Sequence, residues 1–259
     1  MGVANLFSSF VGLNNILPDR NIMLPVVRQL LARGVDPDVA ELEGGRRAFD
    51  QALAWKSGFS PSAHSIAAVL GEIIDLTVVN KDGCTPLHHA CKYGLPELQL
   101  RLLSRHPPPN IHARTTHPDQ PNDRGTTPLM YCCQSTSSPD RDTMLPVVQE
   151  LLRRGADPNA VRGDGSAAFN LALAAVGMSP AHGLAAALAE VMDVSRIDSG
   201  NGYTPLHYAC EYGRPELVVR LVQRGADVGA KANNGFTPLD FLMEARPTEA
   251  ASPAWAAAV

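Results

Sequence analysis

Residues 82–98 read DGCTPLHHACKYGLPEL, and residues 201–217 read NGYTPLHYACEYGRPEL. Each starts with a turn-forming Asp-Gly or Asn-Gly, followed by Thr-Pro. Thr offers a hydroxyl to cap a helix, and Pro fits the first helical position, where a missing N–H costs nothing. Leu87 and Ala90 then fall on one helical face, and Gly94 ends the helix by tolerating a left-handed turn. The second apolar stripe, Leu98, Leu102 and Leu103, predicts an antiparallel partner helix. The unit is therefore a turn followed by a helical hairpin, too small to bury both of its faces alone.

The same unit recurs. The Thr-Pro-Leu triplet begins at Thr85, Thr127, Thr204 and Thr237, and the last two lie 33 residues apart. Longer self-matches share one offset. MLPVVRQLLARGVDP from Met23 pairs with MLPVVQELLRRGADP from Met144, and GRRAFDQALA from Gly45 with GSAAFNLALA from Gly165. A block of about 120 residues has been duplicated, since three separated matches agree on that distance. RRGADPNA at 153–160 and QRGADVGA at 223–230 close the second helix of their units.

These stretches resemble the ankyrin repeat, and the resemblance covers nearly the whole chain. It implies an all-α ankyrin-repeat solenoid of about seven helix-turn-helix units, starting near residues 4, 42, 80, 122, 162, 199 and 232. The expected organisation is one domain over 1–247. It consists of two duplicated three-unit blocks, roughly 4–121 and 122–231, with a C-terminal cap at 232–247 and a flexible tail at 248–259. Stability in such an array comes from stacking each unit on its neighbours.

Two insertions stand out against the repeat. STSSPDRDTML separates the helices of the fourth unit, and PDRN at 18–21 echoes its PDRD at 139–142. A Pro-rich stretch, PPPNIHARTTHPDQPND, precedes Arg124. In the ankyrin family this connection forms a finger over the concave face, so the resemblance implies an enlarged groove wall there, built by a semi-rigid loop.

Composition limits the functional classes. The 259 residues hold 22 basic and 26 acidic side chains, a net charge of −4, without the clustered Lys and Arg that nucleic-acid binding rewards. Five cysteines, Cys84, Cys91, Cys132, Cys133 and Cys210, lack CxxC spacing, which points to a reducing compartment rather than a disulfide framework or a zinc site. No apolar run is long enough to span a bilayer, and the N-terminus lacks a basic leader. The expectation is an intracellular, cytoplasmic or nuclear monomer that uses no cofactor and binds neither nucleic acid nor membrane.

His88 and His207 invite a catalytic reading, but the resemblance implies that they are buried and hydrogen-bond between units. His-x-x-Cys supplies two potential ligands per unit, whereas zinc takes three or four protein or water ligands. No GxSxG, HExxH, P-loop or GxGxxG occurs. The positions that vary among ankyrin units lie on the fingers and inner helices. Here the candidate partner-binding residues are Trp55, Lys81, Asp82, Lys92, Tyr93, Asp123, Arg124, Gln134, Tyr203, Glu211, Tyr212 and Phe236. Arg46, Cys84, Thr126, Ser135, Asp164, Ser166, Asn201, Asn234 and Glu244 fill the remaining variable positions. Aromatic side chains among a few charges suit an interface, because they bury much area at small entropic cost. The expected function is recognition of a protein or peptide. The alternative is a small-molecule site or an unusual enzyme in the same groove, beneath the inserted loops.

Overall fold

The computed structural model describes residues 20–38, 48–54, 67–134, 141–174 and 182–244. Trp55, Arg46, Ser135, most of the inserted stretches at 18–21 and 135–145, and the tail lie outside these residues. Helices follow the duplicated pattern: α1 Arg20–Ala32, α2 Ala48–Ala54, α3 Pro86–Lys92, α4 Pro96–Leu103, α5 Pro128–Gln134, α6 Leu145–Arg153, α7 Ala168–Leu173, α8 His182–Val191, α9 Pro205–Glu211, α10 Pro215–Gln223 and α11 Pro238–Glu244. Among the described residues the regular elements are helical, in agreement with the all-α expectation.

The helices form two rows. The inner row runs α2, α3, α5, α7, α9, α11, each touching the next, and α4, α6, α8 and α10 form the outer row behind it. One continuous apolar core fills the space between the rows, from Val27 and Phe49 through Leu102, Leu129 and Leu151 to Leu221 and Phe241. Each inner helix begins as the sequence dictates. Thr85 and Thr204 accept the N–H of His88 and His207, while the imidazole Nδ1 of each histidine accepts the threonine N–H. Two orphan donors are satisfied reciprocally at each helix start.

The fingers differ from expectation in one respect. Asn80 N–H donates to the Cys84 carbonyl, and Arg162 N–H to Ser166, each closing a tight turn. In the fourth unit the matching bond runs from Thr115 N–H to the Thr126 carbonyl. The insertion thus lies inside the finger turn itself, and it does not stand off as an overhanging wall. Thr116 and His117 N–H both donate to the Asp82 carbonyl at 2.7 and 3.3 Å, folding the loop back onto the preceding finger. A short 3-10 turn, Pro121–Asp123, presses the other side of the loop onto the following finger, where Gly163 N–H reaches the Arg124 carbonyl at 2.7 Å.

Gly163 is required by that contact. A Cβ at this position would overlap the backbone carbonyl oxygen of Pro121, which has no flexible side chain to swing aside. Gly163→Ala is therefore expected to lower stability by roughly 2 kcal/mol through overpacking. Thermal unfolding checks this, and an unchanged midpoint would mean that the loop is not seated on the fifth finger.

Candidate functional site

The surface made by finger turns and inner-helix ends collects most of the candidate residues. Lys92 and Glu211 are the last residues of α3 and α9, and both are exposed. Tyr93 and Tyr212 cap these helices, half-buried against the core. The Lys92 ammonium sits 5.9 Å from the centre of the Tyr131 ring, in range for a cation–π contact. Lys81 and Arg124 are exposed on their fingers, and the Arg124 guanidinium donates to the Thr116 carbonyl at 3.2 Å.

Asp123 and Gln134 are joined by a residue that the variable-position reading passed over. One Arg162 nitrogen donates to Asp123 Oδ1 at 3.0 Å and to Gln134 Oε1 at 2.9 Å, while its other terminal nitrogen reaches Asp164 at 2.6 Å. Arg162 opens the fifth finger, the place that Asn80 takes in the third, so its position in the repeat was the available signal. The fork pairs one guanidinium with two carboxylates, leaving one negative charge in the middle of the surface. Asp164 is held below the usual carboxylate range, burial opposing and the Arg162 and Ser166 hydrogen bonds prevailing.

Tyr203 and Phe236 are half-buried rather than free-standing. Tyr203 stacks 5.6 Å from the His207 ring and lies 5.1 Å from Tyr208 and 4.9 Å from Phe241, while Phe236 sits 5.6 Å from Phe241. Tyr208 was not singled out in the sequence, yet its hydroxyl donates to Asp198 at 2.8 Å and accepts from Asn201. This aromatic group stitches the sixth unit to the last one. Asp82 is half-buried, and its N–H donates to the Asn80 side chain.

Cys84 and Thr126 require correction: both are buried, whereas the repeat pattern places their positions on the exposed finger. The folded-back loop is the reason. His117 enters the space between the third and fourth units, where its Nε2 lies 3.0 Å from the Tyr131 hydroxyl and 3.9 Å from Cys84 Sγ. His117 has a positive φ of 27°, a conformation that a non-glycine residue adopts only when its surroundings hold it. The region beneath the insertion is consequently filled by side chains. A cleft of about 580 Å³ lies elsewhere, among the outer helices, lined by Leu24, Arg28, Val69, Glu72, Leu95 and Arg101 among others.

The groups with chemical potential are quenched by burial. Burial pushes the Cys84 thiol up to about 12 and that of Cys210 up to about 11, and burial also raises Cys132. These thiols stay protonated and act as small packing groups. His88 is lowered to about 4, by burial first and then by the adjacent His89. Its Nε2–H donates to the Ala113 and Thr126 carbonyls at 3.1 and 3.2 Å, and His207 Nε2–H donates to Phe236 at 3.2 Å. Both histidines thus bridge neighbouring units, as the resemblance implied. His89 lies 3.6 Å from the buried Asp50 carboxylate and 3.2 Å from the Asn80 side chain. Among the described residues no group of three or more His, Cys, Asp and Glu is arranged to hold a metal, and no helix is long and apolar enough to cross a membrane.

Comparison with known proteins bears on the same repeats. A model of ankyrin repeats in three copies matches residues 20–162, and a second model of ankyrin repeats in many copies matches 195–242. The chain is similar to Ankyrin repeat and SAM domain-containing protein 6 of Rattus norvegicus, 40% identical over 86 residues, which is 33% of this chain and 9% of that protein. It is also similar to the B-cell lymphoma 3 protein homolog of Mus musculus, 29% identical over 185 residues, 71% of this chain and 38% of that one. A shorter match, 32% over 56 residues, covers 22% of this chain and 4% of the Inhibitor of Bruton tyrosine kinase of Xenopus laevis. The chain spans less than half the length of each of these relatives. With a repeat model covering more than half of the chain and the stacked helical hairpins in place, the chain belongs to the ankyrin-repeat family.

Proposed function

We propose that this chain binds a protein or peptide partner across its fingers and inner-helix ends. The observation that carries the reading is the arrangement of exposed side chains on a surface whose interior is already packed. Lys92 with Tyr93 and Glu211 with Tyr212 end equivalent helices, the charged residue of each pair exposed and the tyrosine half-buried. The half-buried tyrosines offer flat apolar area held in place by their own units, which is what interface anchors provide. The family supports the reading, since ankyrin repeats are general protein-interaction modules. One relative is named as the inhibitor of a tyrosine kinase, a protein target.

The small-molecule reading finds less support. His117, Tyr131 and Cys84 fill the space beneath the insertion that such a ligand would need. The buried thiols and the lowered His88 offer little nucleophilic or general-base chemistry to the surface. An intracellular monomer acting as a recognition module, its domain running from the first unit to the cap at 232–247, is the arrangement that we infer.

Affinity capture from the native host supplies the partner, after which Tyr93→Ala and Tyr212→Ala are compared with the parent chain by calorimetry. Each is expected to weaken binding by on the order of 2 kcal/mol, roughly thirtyfold. Unchanged affinity in variants that keep their helicity would remove these tyrosines from the site.

A further inference from the structure

Internal duplication permits a comparison that a single unit would not. Lys92–Tyr93 and Glu211–Tyr212 occupy the same place in the two blocks, with CKYG in one and CEYG in the other. The tyrosine is kept and the charge is inverted. Between them the same helix-end position carries Gln134 on α5 and exposed Ala174 after α7, neither of them charged. Gln134 is drawn into the Arg162 fork, where Asp123 and Asp164 outnumber the guanidinium by one charge. The helix-end residues themselves read cation, neutral, neutral, anion.

Neighbouring charges reinforce the cationic end. Lys81 and Arg124 are exposed on the third and fourth fingers, and the Arg114 guanidinium donates to the Val161 carbonyl between the fourth and fifth fingers. Asp82 and the buried Asp50 oppose them, leaving cations in excess. At the other end Glu211 is exposed, and burial of its surroundings raises its carboxyl above the ordinary range. Asp198 of the sixth finger is buried and accepts the Tyr208 hydroxyl, Arg196 donates to the Gly165 carbonyl, Lys231 stands on the last finger, and Arg214, three residues after Glu211, is half-buried.

We propose that the partner segment is an extended, dipolar peptide. An acidic side chain meets Lys92 and a basic side chain meets Glu211, each with an apolar neighbour resting on Tyr93 or Tyr212. The spacing follows from the helices. Adjacent inner helices stand roughly 8–10 Å apart, so the three steps from α3 to α9 span roughly 24–30 Å. An extended chain advances about 3.3 Å per residue, which places the two charges about seven to nine residues apart. The inference rests on the groove reading above and adds the chemistry of what fills it.

Selection of a displayed library of random 12-residue peptides against the full chain tests it without a known partner. Enriched sequences should carry one acidic and one basic residue about seven to nine positions apart. Lys92→Glu and Glu211→Lys should each weaken the selected peptides about fivefold at low salt, with the loss shrinking as salt rises. The double exchange K92E/E211K should prefer the same peptides with their charges swapped. Enriched peptides that lack the charge pair, or that bind both single variants as well as the parent, would overturn the dipolar assignment. Parallel measurements on Tyr93→Ser and Tyr212→Ser separate the two readings. If those variants lose the peptides while the charge variants keep them, the groove stands and the charge inference falls. If no variant changes binding, or nothing is enriched, both fall.

Discussion

Lowering the pH from 7 to 4.5 is expected to remove roughly 2–3 kcal/mol of folding stability through His88 alone. The unfolded histidine takes up a proton near 6.5, whereas burial and the neighbouring His89 hold the folded imidazole near 4. Between these values the unfolded chain binds a proton that the folded chain refuses, so stability falls as the pH falls through 6.5 and levels off below 4. The hydrogen bonds agree with that direction. Nδ1 accepts the Thr85 N–H at 3.1 Å, and a proton there would set two donors against each other. His207 repeats the arrangement with Thr204 at 3.0 Å and is lowered in the same sense, burial leading. Carboxylates held low, such as Asp164 and Asp240, keep their contribution above about pH 4 and lose it only below, while Glu211, raised by burial, acts in the opposite sense, so the decline from 6.5 to 4.5 is carried by the histidines.

The chain itself supplies the control substitution. In the fifth unit Asn170 stands where His88 and His207 stand in theirs, and its Oδ1 accepts the Ala167 N–H at 2.6 Å. His88→Asn with His207→Asn copies a cap that the fold already tolerates and removes both titrations. Urea unfolding of the double variant between pH 7 and 4.5 should show a nearly flat stability where the parent declines. A parent slope retained in full by the double variant would show that other groups carry the acid sensitivity.

Much of this architecture was legible because each unit repeats its instructions. Thr-Pro-Leu-His fixes a cap, a first turn, a core anchor and an inter-unit hydrogen bond within four residues, and Thr85–His88 and Thr204–His207 realise them alike. The candidate surface was legible in outline for the same reason, since Lys92, Tyr93, Glu211 and Tyr212 inherit their positions from the repeat. The departures occur where the repeat is broken. The insertion before Arg124 has no counterpart in the other units, so nothing in the periodicity indicates that His117 turns inward and buries Cys84 and Thr126. Arg162 was obscured differently. A long side chain chooses its partners across 39 and 28 residues of sequence, to Asp123 and Gln134, and this depends on how two fingers stack.

Stacking itself is open to test, because one position has been sampled both within the described helices and in the last of them. Leu87, Leu129, Phe169 and Leu206 hold the second helical position of α3, α5, α7 and α9, and all are buried. Leu239 holds it in α11 and is 58% exposed, against 1% for Leu129. The residue type, the preceding Thr-Pro and the local helix are the same, so the difference is the neighbour on the far side: α5 lies between α3 and α7, whereas α11 contacts α9 in the inner row. Leu129→Ala should open a cavity in the shared core and cost about 3 kcal/mol, through the lost burial of the side chain beyond Cβ plus incomplete collapse around it. Leu239→Ala, at a surface that water already reaches, should cost about 0.5 kcal/mol or less. Urea denaturation of the two variants measures both. If nearest-neighbour contact is what stabilises each hairpin, the two losses differ several-fold; equal losses would mean that the units hold themselves together individually and that the continuous core contributes little to the fold.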